Sequence, residues 1–279
     1  MDNDRQESRG SQGSGSSAGS ERSAGSRDGS APGRGRAVPH PPRDPFHAHE
    51  AFLVLLRAQR VWDIDLPACD PAAAPGAPLP LFHQWFAEAV AAGQPEPHAM
   101  TLATVDDDDR PDVRTLMLHD ADARGWHFAS HSTSAKGRQL AAHPDAALGF
   151  YWAAQGRQIR VRGPVTPAGP TESLADLHNR STGALAAALT GAQSEILGSR
   201  AELAHASAVA WERARTEPAA SAPTWTRYVL EPREVEFFQG DAWRQHVRLR
   251  YRRATGAGDD ARNGVVQGGD GWVRELLWP

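Results

Sequence analysis

Met100-Thr-Leu-Ala-Thr-Val105 and Val113-Arg-Thr-Leu-Met-Leu-His119, with the turn-forming run Asp106–Pro111 between them, decide the fold of this chain. Both runs are short and rich in residues that favour strands, and the aspartates and proline between them favour a turn. Three more runs of the same kind follow at 126–130, 146–152 and 158–165, with a second turn at Asp120–Gly125. Five short strands in succession predict an antiparallel barrel or sandwich. Between the third and fourth, Ser134 supplies an N-cap for a helix that stops at His143, before Pro144. A helical region spans 171–215, broken near Ser181 and Gly191, and strands resume at 224–230, 234–238, 243–252 and 271–277. The class is therefore mainly β with peripheral helices (α+β).

Upstream of the strands, Leu81, Trp85, Phe86 and Val90 recur at helical spacing, an apolar stripe that reads as core. Before it, Leu66–Leu79 is a Pro/Ala-rich linker or surface loop, and Pro45–Arg60 is a short helix. The first 45 residues are Gly, Ser, Arg and Pro with almost no apolar residue, too little burial to offset chain entropy, and read as a disordered tail. The expected organisation is a tail over 1–45, a helix and linker over 46–79, and a folded domain over 80–279.

No apolar leader follows Met1, early acids argue against a transit peptide, and no apolar run is long enough for a bilayer. The lone Cys69 has no disulfide partner, which points to the cytoplasm. A net charge of −4 speaks against nucleic acid, although small anions are compatible with it.

Several residues carry candidate chemistry. Trp243-Arg-Gln-His-Val-Arg-Leu-Arg-Tyr-Arg252 alternates so strictly that a strand would present Arg244, His246, Arg248, Arg250 and Arg252 on one face. A solvated edge and an anion-binding row both fit that pattern. Ser134-Ala-Lys136 opens a helix, where free N–H groups and a lysine suit phosphate or water alike. Arg114 lies in mid-strand and calls for an anion, either a ligand or a nearby acidic turn; His119 ends that strand. Gln158 lies on a polar face alternating with Ile159, and Gln193-Ser194 follow a Thr-Gly-Ala run that reads equally as ligand loop or helix cap. Glycine-rich dinucleotide fingerprints, Walker loops, cysteine pairs and zinc-protease motifs are missing, so no metal is expected.

Taken in order, His98-Ala-Met-x-Leu-Ala-Thr-Val105, Arg114, Phe128-x-Ser-His131, Ser134-x-Lys136-x-x-Gln139, His143-Pro144, Arg157-Gln158, Gln193-Ser194, Val235-Glu-Phe-Phe-Gln-Gly240 and Arg244-x-His246-x-Arg248 resemble the pyridoxamine 5′-phosphate oxidase family, from about Pro80 onward. The resemblance implies a homodimeric split β-barrel that binds flavin mononucleotide (FMN) at the subunit interface. It implies that Arg114, Lys136 and Ser130 hold the FMN phosphate. Gln158, Gln193, Ser194, Phe238 and Arg248 would contact the rest of the cofactor, some from the second subunit. Arg244 and His246 would face a small-molecule substrate. The implied reaction oxidises pyridoxamine or pyridoxine 5′-phosphate to pyridoxal 5′-phosphate, with dioxygen as acceptor and hydrogen peroxide as product.

This chain departs from the family where the substrate phosphate binds. The family's lysine is His119, its tyrosine is Asp176 and its serine is Ala184, while Arg180 is retained. Two alternatives follow from the same resemblance: an FMN-dependent oxidase of a non-phosphorylated ring, of the phenazine-pathway type, or a split barrel that carries flavin or haem without turnover.

Overall fold

The computed structural model describes residues 45–279, apart from 63, 255–264 and 268–270. The tail expected over 1–45 lies, but for Pro45, outside the described residues. The chain divides into two compact units, Met1–Gln59 and Arg60–Pro279. The first contains helix α1 (Pro45–Arg57).

The second unit is built on an antiparallel sheet. Its strands are β1 (Ala99–Val105), β2 (Pro111–Met117), β3 (Asp120–Asp122), β4 (Gly125–His131), β5 (Asp145–Trp152), β6 (Arg157–Pro167), β7 (Trp225–Leu230), β8 (Glu234–Gln239), β9 (Val247–Arg253), β10 (Val265–Gln267) and β11 (Trp272–Leu276). The main path runs β10-β11-β9-β8-β6-β5-β1-β2, while β7 joins β4 to β6 and β3 pairs with β4. Strand β6 belongs to both arms: Arg157–Arg162 pair with β8, and Val165–Pro167 pair with β7. At the switch stands Gly163, where an added Cβ would lie 1.9 Å from the backbone oxygen of Glu231. Only glycine lets the connection after β7 cross this closely.

Alternation along these strands puts Met100, Leu102, Leu148, Phe150, Ile159, Val161, Val235, Phe237, Leu249 and Tyr251 in the interior. Helix α2 (Pro78–Ala91) closes the barrel with Leu81, Phe82, Trp85 and Ala89. The Phe82 ring meets Trp126 at 5.3 Å and Phe150 at 5.2 Å, both edge-on. The apolar stripe is thus core, except that Val90, one step round the helix from Ala89, is exposed. Buried Arg157 ties three elements, with Nε donating to Gln239 at 2.9 Å, NH1 donating to Glu88 at 2.5 Å and the guanidinium 4.2 Å from the Trp85 ring centre. The segment before α2 lies against the barrel, where the Tyr251 hydroxyl donates to the Pro75 carbonyl at 2.7 Å.

The remaining helices are α3 (Ala135–Ala142), α4 (Pro170–His178), α5 (Thr182–Thr190) and α6 (Arg200–Thr216), the last three filling the expected helical region with breaks near Ser181 and Gly191. Two strands fall short of the sequence reading by two residues or more. Strand β2 stops at Met117, because the His119 N–H pairs instead with the His127 carbonyl at 2.8 Å. Strand β9 starts at Val247 rather than Trp243, because Asp241 Oδ1 accepts the N–H groups of Trp243 (2.8 Å) and Gln245 (3.0 Å) and coils the chain into a turn. Strands β3 and β10 are too short to show as periodic runs. No described helix is long and apolar enough to cross a membrane.

Among the described residues one group has metal-like spacing, Asp120, Asp122 and His127. It is bound internally: Arg227 donates to Asp120 at 3.1 Å and to His127 Nδ1, and His127 Nε2 donates to Asp122 at 2.8 Å. Partial burial would raise the Asp122 carboxyl, but hydrogen bonds from His127 and the Arg124 backbone outweigh it and hold the pKa at about 2. Because the folded value lies below the unfolded one of ~3.9, this carboxylate stabilises the fold above about pH 4, and the contribution disappears as pH falls through 2. Urea midpoints measured across that window should fall more steeply for the wild type than for Asp122→Asn. Gly163→Ala should cost about 3 kcal/mol of unfolding free energy by denaturant titration, the upper end for overpacking.

Candidate cofactor and substrate site

The first cluster forms where β2, β4 and α3 meet. Ser134 caps α3 by accepting the Gly137 N–H. Two residues after the cap, Lys136 is 5% exposed, and its Nζ donates to Ser130 Oγ (3.2 Å), Ser134 Oγ (3.4 Å) and Gln193 Oε1 (3.2 Å). Among the described residues it forms no ion pair. Burial, and then the charge of Arg114, lower the lysine pKa. The Ser130 hydroxyl also donates to Gln193 Oε1 at 3.0 Å, and the Ala135 N–H donates to Ser194 Oγ at 3.2 Å. The loop supplying those oxygens has left-handed backbone at Ala192 (φ 46°) and Ser194 (φ 75°), a conformation that costs non-glycine residues free energy.

Arg114 completes this corner. Its NH1 donates to Thr104 Oγ1 at 2.5 Å and Leu102 O at 3.3 Å; its NH2 donates to Gln139 Oε1 at 2.9 Å and to the Asp112 carboxylate. Thr104, Asp112 and Gln139 were missed as site residues by the sequence reading. The hairpin register held the signal, since Leu102 faces Arg114 and Thr104 faces Asp112. A buried ammonium met only by neutral oxygens, with a guanidinium beside it and a capped helix start, matches an anion with several oxygens. The donor set therefore fits the phosphate of FMN.

The second cluster lies on the outward face of the same sheet. Gln158 pairs with Phe238, and Phe238 pairs with Arg248, so the three share one cross-strand row. Gln158 opens onto a groove lined by Thr101, Thr115, Tyr151 and Arg160. Thr115 adjoins Arg114 in β2, and adjacent strand residues point to opposite faces. One chain therefore presents two half-sites: Arg114, Ser130, Lys136, Gln193 and Ser194 together, and Gln158, Phe238 and Arg248 apart from them.

At the end of the second row, His246 packs 5.2 Å from Phe238, ring to ring. Its Nδ1 accepts the Asp241 N–H at 3.0 Å, which places the proton of a neutral ring on Nε2. Arg244 is in the turn, with φ 66°. The five-member cationic row expected from the sequence is consequently reduced to Arg248, Arg250 and Arg252. These three are interleaved with carboxylates: Arg248 Nε donates to Glu236 at 2.8 Å, Arg250 Nε to Glu275 at 2.9 Å and Arg252 Nε to Glu275 at 2.7 Å. Burial would raise Glu236, but Arg248 and Arg160 outweigh it and keep its pKa low. The row is structural as well as cationic.

The third cluster contains the departures. His119 Nδ1 donates to Asp176 Oδ1 at 2.7 Å, Arg180 NH1 donates to His119 Nε2 at 2.9 Å, and Trp225 Nε1 donates to Asp176 Oδ2 at 3.0 Å. The Arg180 guanidinium lies 4.7 Å from the Trp225 ring centre, and its buried Nε has no partner. Burial would raise the Asp176 pKa, but His119, Trp225 and Arg180 together hold it low. Burial likewise lowers that of Arg180, partly offset by Asp176. One carboxylate here balances one guanidinium, with the histidine bonded between them.

Residues 86–214 match the family described as pyridoxamine 5′-phosphate oxidase, and residues 225–279 match the pyridoxine 5′-phosphate oxidase C-terminal dimerisation region, which supports a homodimer. A pyridoxine/pyridoxamine 5′-phosphate oxidase of Azotobacter vinelandii is 41% identical over 210 residues, 75% of this chain and 91% of the relative. One from Salinibacter ruber is 41% identical over 183 residues, 65% of this chain and 85% of the relative. The crystal structure of PhzG from Burkholderia lata 383, in complex with tetrahydrophenazine-1-carboxylic acid, is 30% identical with a TM-score of 0.66, covering 77% of this chain and 99% of that one. An FMN-binding protein from Nostoc punctiforme, 20% identical with a TM-score of 0.54 over 75% of this chain and 100% of that one, shares the fold. The chain therefore belongs to the pyridoxamine 5′-phosphate oxidase family and is an FMN-dependent oxidoreductase with a split-barrel fold.

Proposed function

We propose that the chain oxidises pyridoxine or pyridoxamine 5′-phosphate to pyridoxal 5′-phosphate, with dioxygen as electron acceptor and hydrogen peroxide as product. The observation that carries this reading is the placement of the His246 ring beside Phe238, at the end of the row that Gln158 begins, with Arg244 two residues earlier in the same turn. The identity to curated oxidases supports it further. Two electrons leave the substrate carbon and two reduce dioxygen, so the exchange balances; pyridoxamine phosphate additionally consumes water and releases ammonia. When bound, FMN supplies the electron relay between them.

Within this reading Lys136, Arg114 and Ser130 hold the FMN phosphate. Gln193 Oε1 now accepts from both Ser130 and Lys136, as a phosphate oxygen would. Gln193 and Ser194 then turn toward the ribityl chain. Gln158, Phe238 and Arg248 of the second subunit approach the ring, which explains why one chain carries two half-sites. His246, with its proton on Nε2, and Arg244 orient the substrate ring for the oxidation. His119 and Arg180 border the substrate's distal group. A reducing cytoplasm fits the free thiol of Cys69.

A second reading has its own observation. In the third cluster Arg180 is already balanced by Asp176 and bonded to His119, leaving no surplus cation for a phosphate dianion. That arrangement favours an unphosphorylated ring, and the likeness to PhzG supports it.

Two measurements test these assignments. Lys136→Gln should raise the FMN dissociation constant about tenfold to a hundredfold in a flavin-fluorescence titration, the loss of one charge-assisted phosphate contact. FMN-loaded protein given pyridoxine 5′-phosphate in air should form pyridoxal 5′-phosphate and peroxide in equal amounts, with inhibition by pyridoxal 5′-phosphate. No turnover, together with indifference to pyridoxal 5′-phosphate and inorganic phosphate, would favour the second reading.

A further inference from the structure

Trp62 lies in the segment before α2, which carried no functional signal in the sequence. Its indole meets the His246 ring edge-on at 4.9 Å and lies 6.1 Å from Phe238, and the Arg244 guanidinium sits 5.7 Å from its ring centre. The seat beneath it is specifically shaped. A Cβ on Gly240 would stand 2.8 Å from Trp62 Cε2, and one on Gly156 would stand 3.2 Å from Cδ1 and 2.7 Å from Leu66 Cδ2. Two glycines at the ends of β6 and β8 thus leave a slot that the indole fills. Trp62 itself is left-handed (φ 55°), and its buried Nε1 has no hydrogen-bond partner. Neither the backbone conformation nor a polar contact explains the placement, so ring packing does.

The geometry points to Trp62 as a positioning residue for the oxidation: it fixes the tilt of His246 and the reach of Arg244 over the substrate face. The polar groups fixing the His246–Arg244 turn all come from Asp241, whose N–H meets His246 Nδ1 and whose carboxylate holds the N–H groups of Trp243 and Gln245. Those bonds fix the backbone and one ring nitrogen. They leave the ring able to pivot about that nitrogen on the side that Phe238 does not cover, and they do not hold the Arg244 side chain. The indole supplies the missing wall, through edge-to-face contact with one group and cation–π contact with the other. Because no N–H bond is involved, a phenyl ring should do most of this work, and an alanine should do none.

This inference rests on the assignment of Arg244 and His246 to the substrate face, so Arg244→Ala and His246→Ala are assayed beside the Trp62 variants. With pyridoxine 5′-phosphate and FMN-loaded enzyme, Trp62→Ala should lower kcat about tenfold or more while KM and the FMN dissociation constant stay within about threefold. Trp62→Phe should recover most of that loss. Gly240→Ala, which evicts the indole without touching it chemically, should reproduce Trp62→Ala, and the double variant should show no additional loss. A readout independent of substrate is the NMR relaxation of the His246 ring C–H groups, identified by their absence in His246→Ala. A ring held rigid in the wild type should gain motion in Trp62→Ala and stay rigid in Trp62→Phe, while the Nε2–H tautomer, set by the Asp241 N–H, persists in both. An unchanged His246 ring mobility in Trp62→Ala overturns the proposal, as does equal damage from alanine and phenylalanine or a loss of FMN binding that accounts for the lower rate. If Arg244→Ala and His246→Ala retain full activity, it is the assignment of the substrate face that falls. If the wild type does not turn over pyridoxine 5′-phosphate, the ring-mobility comparison alone decides the role of Trp62.

Discussion

One strand with two partners governs this molecule. Strand β6 gives its first half to β8 and its last residues to β7, and the changeover is possible because Gly163 lets the backbone at Glu231 pass at a distance no side chain would permit. From that single crossing follow the closure of the barrel and the separation of its two faces. The apolar residues of β6, with Arg157, turn inward to the aromatic core beneath α2, and Gln158 and Arg160 turn outward to the groove they line. The arm through β7 carries β4, and with it Ser130, to the start of α3.

The two faces use charge differently. On the outward face, arginine and glutamate alternate across β6, β8, β9 and β11, and each guanidinium has a carboxylate within reach. Such a ladder fixes strand register as much as it binds anything. At the corner of β2, β4 and α3, by contrast, Lys136 is buried among hydroxyl and amide oxygens alone. The contrast makes the corner the better match for an added anion. It also separates this corner from the third cluster, where Asp176, His119 and Arg180 engage one another.

Much of this was legible in the sequence because it is local. Strand alternation, the Ser134 cap and the helix breaks near Ser181 and Gly191 depend on neighbouring residues, and each appears close to its expected place. The cationic row failed because its first half is controlled by Asp241, whose side chain competes with strand hydrogen bonding and turns the chain before Val247. Arg248, Arg250 and Arg252 kept the expected face, but their partners Glu236 and Glu275 come from other strands, and no periodicity reports that. Trp62 was invisible for the same reason: its value depends on Gly156 and Gly240, 94 and 178 positions away in a chain of 279. Pairings of that span are properties of topology, not of composition.

The arrangement around Arg114 bears on how the protein behaves when its cofactor departs. Asp112, Gln139 and Thr104 already engage the guanidinium, and Gln193 already engages Lys136, so no bare positive charge is stranded in a dry interior when the ligand is gone. On the proposed assignment, an incoming phosphate trades places with these oxygens instead of filling a void. Emptying and refilling the corner then become an exchange of partners, with the two cations engaged at either end of it.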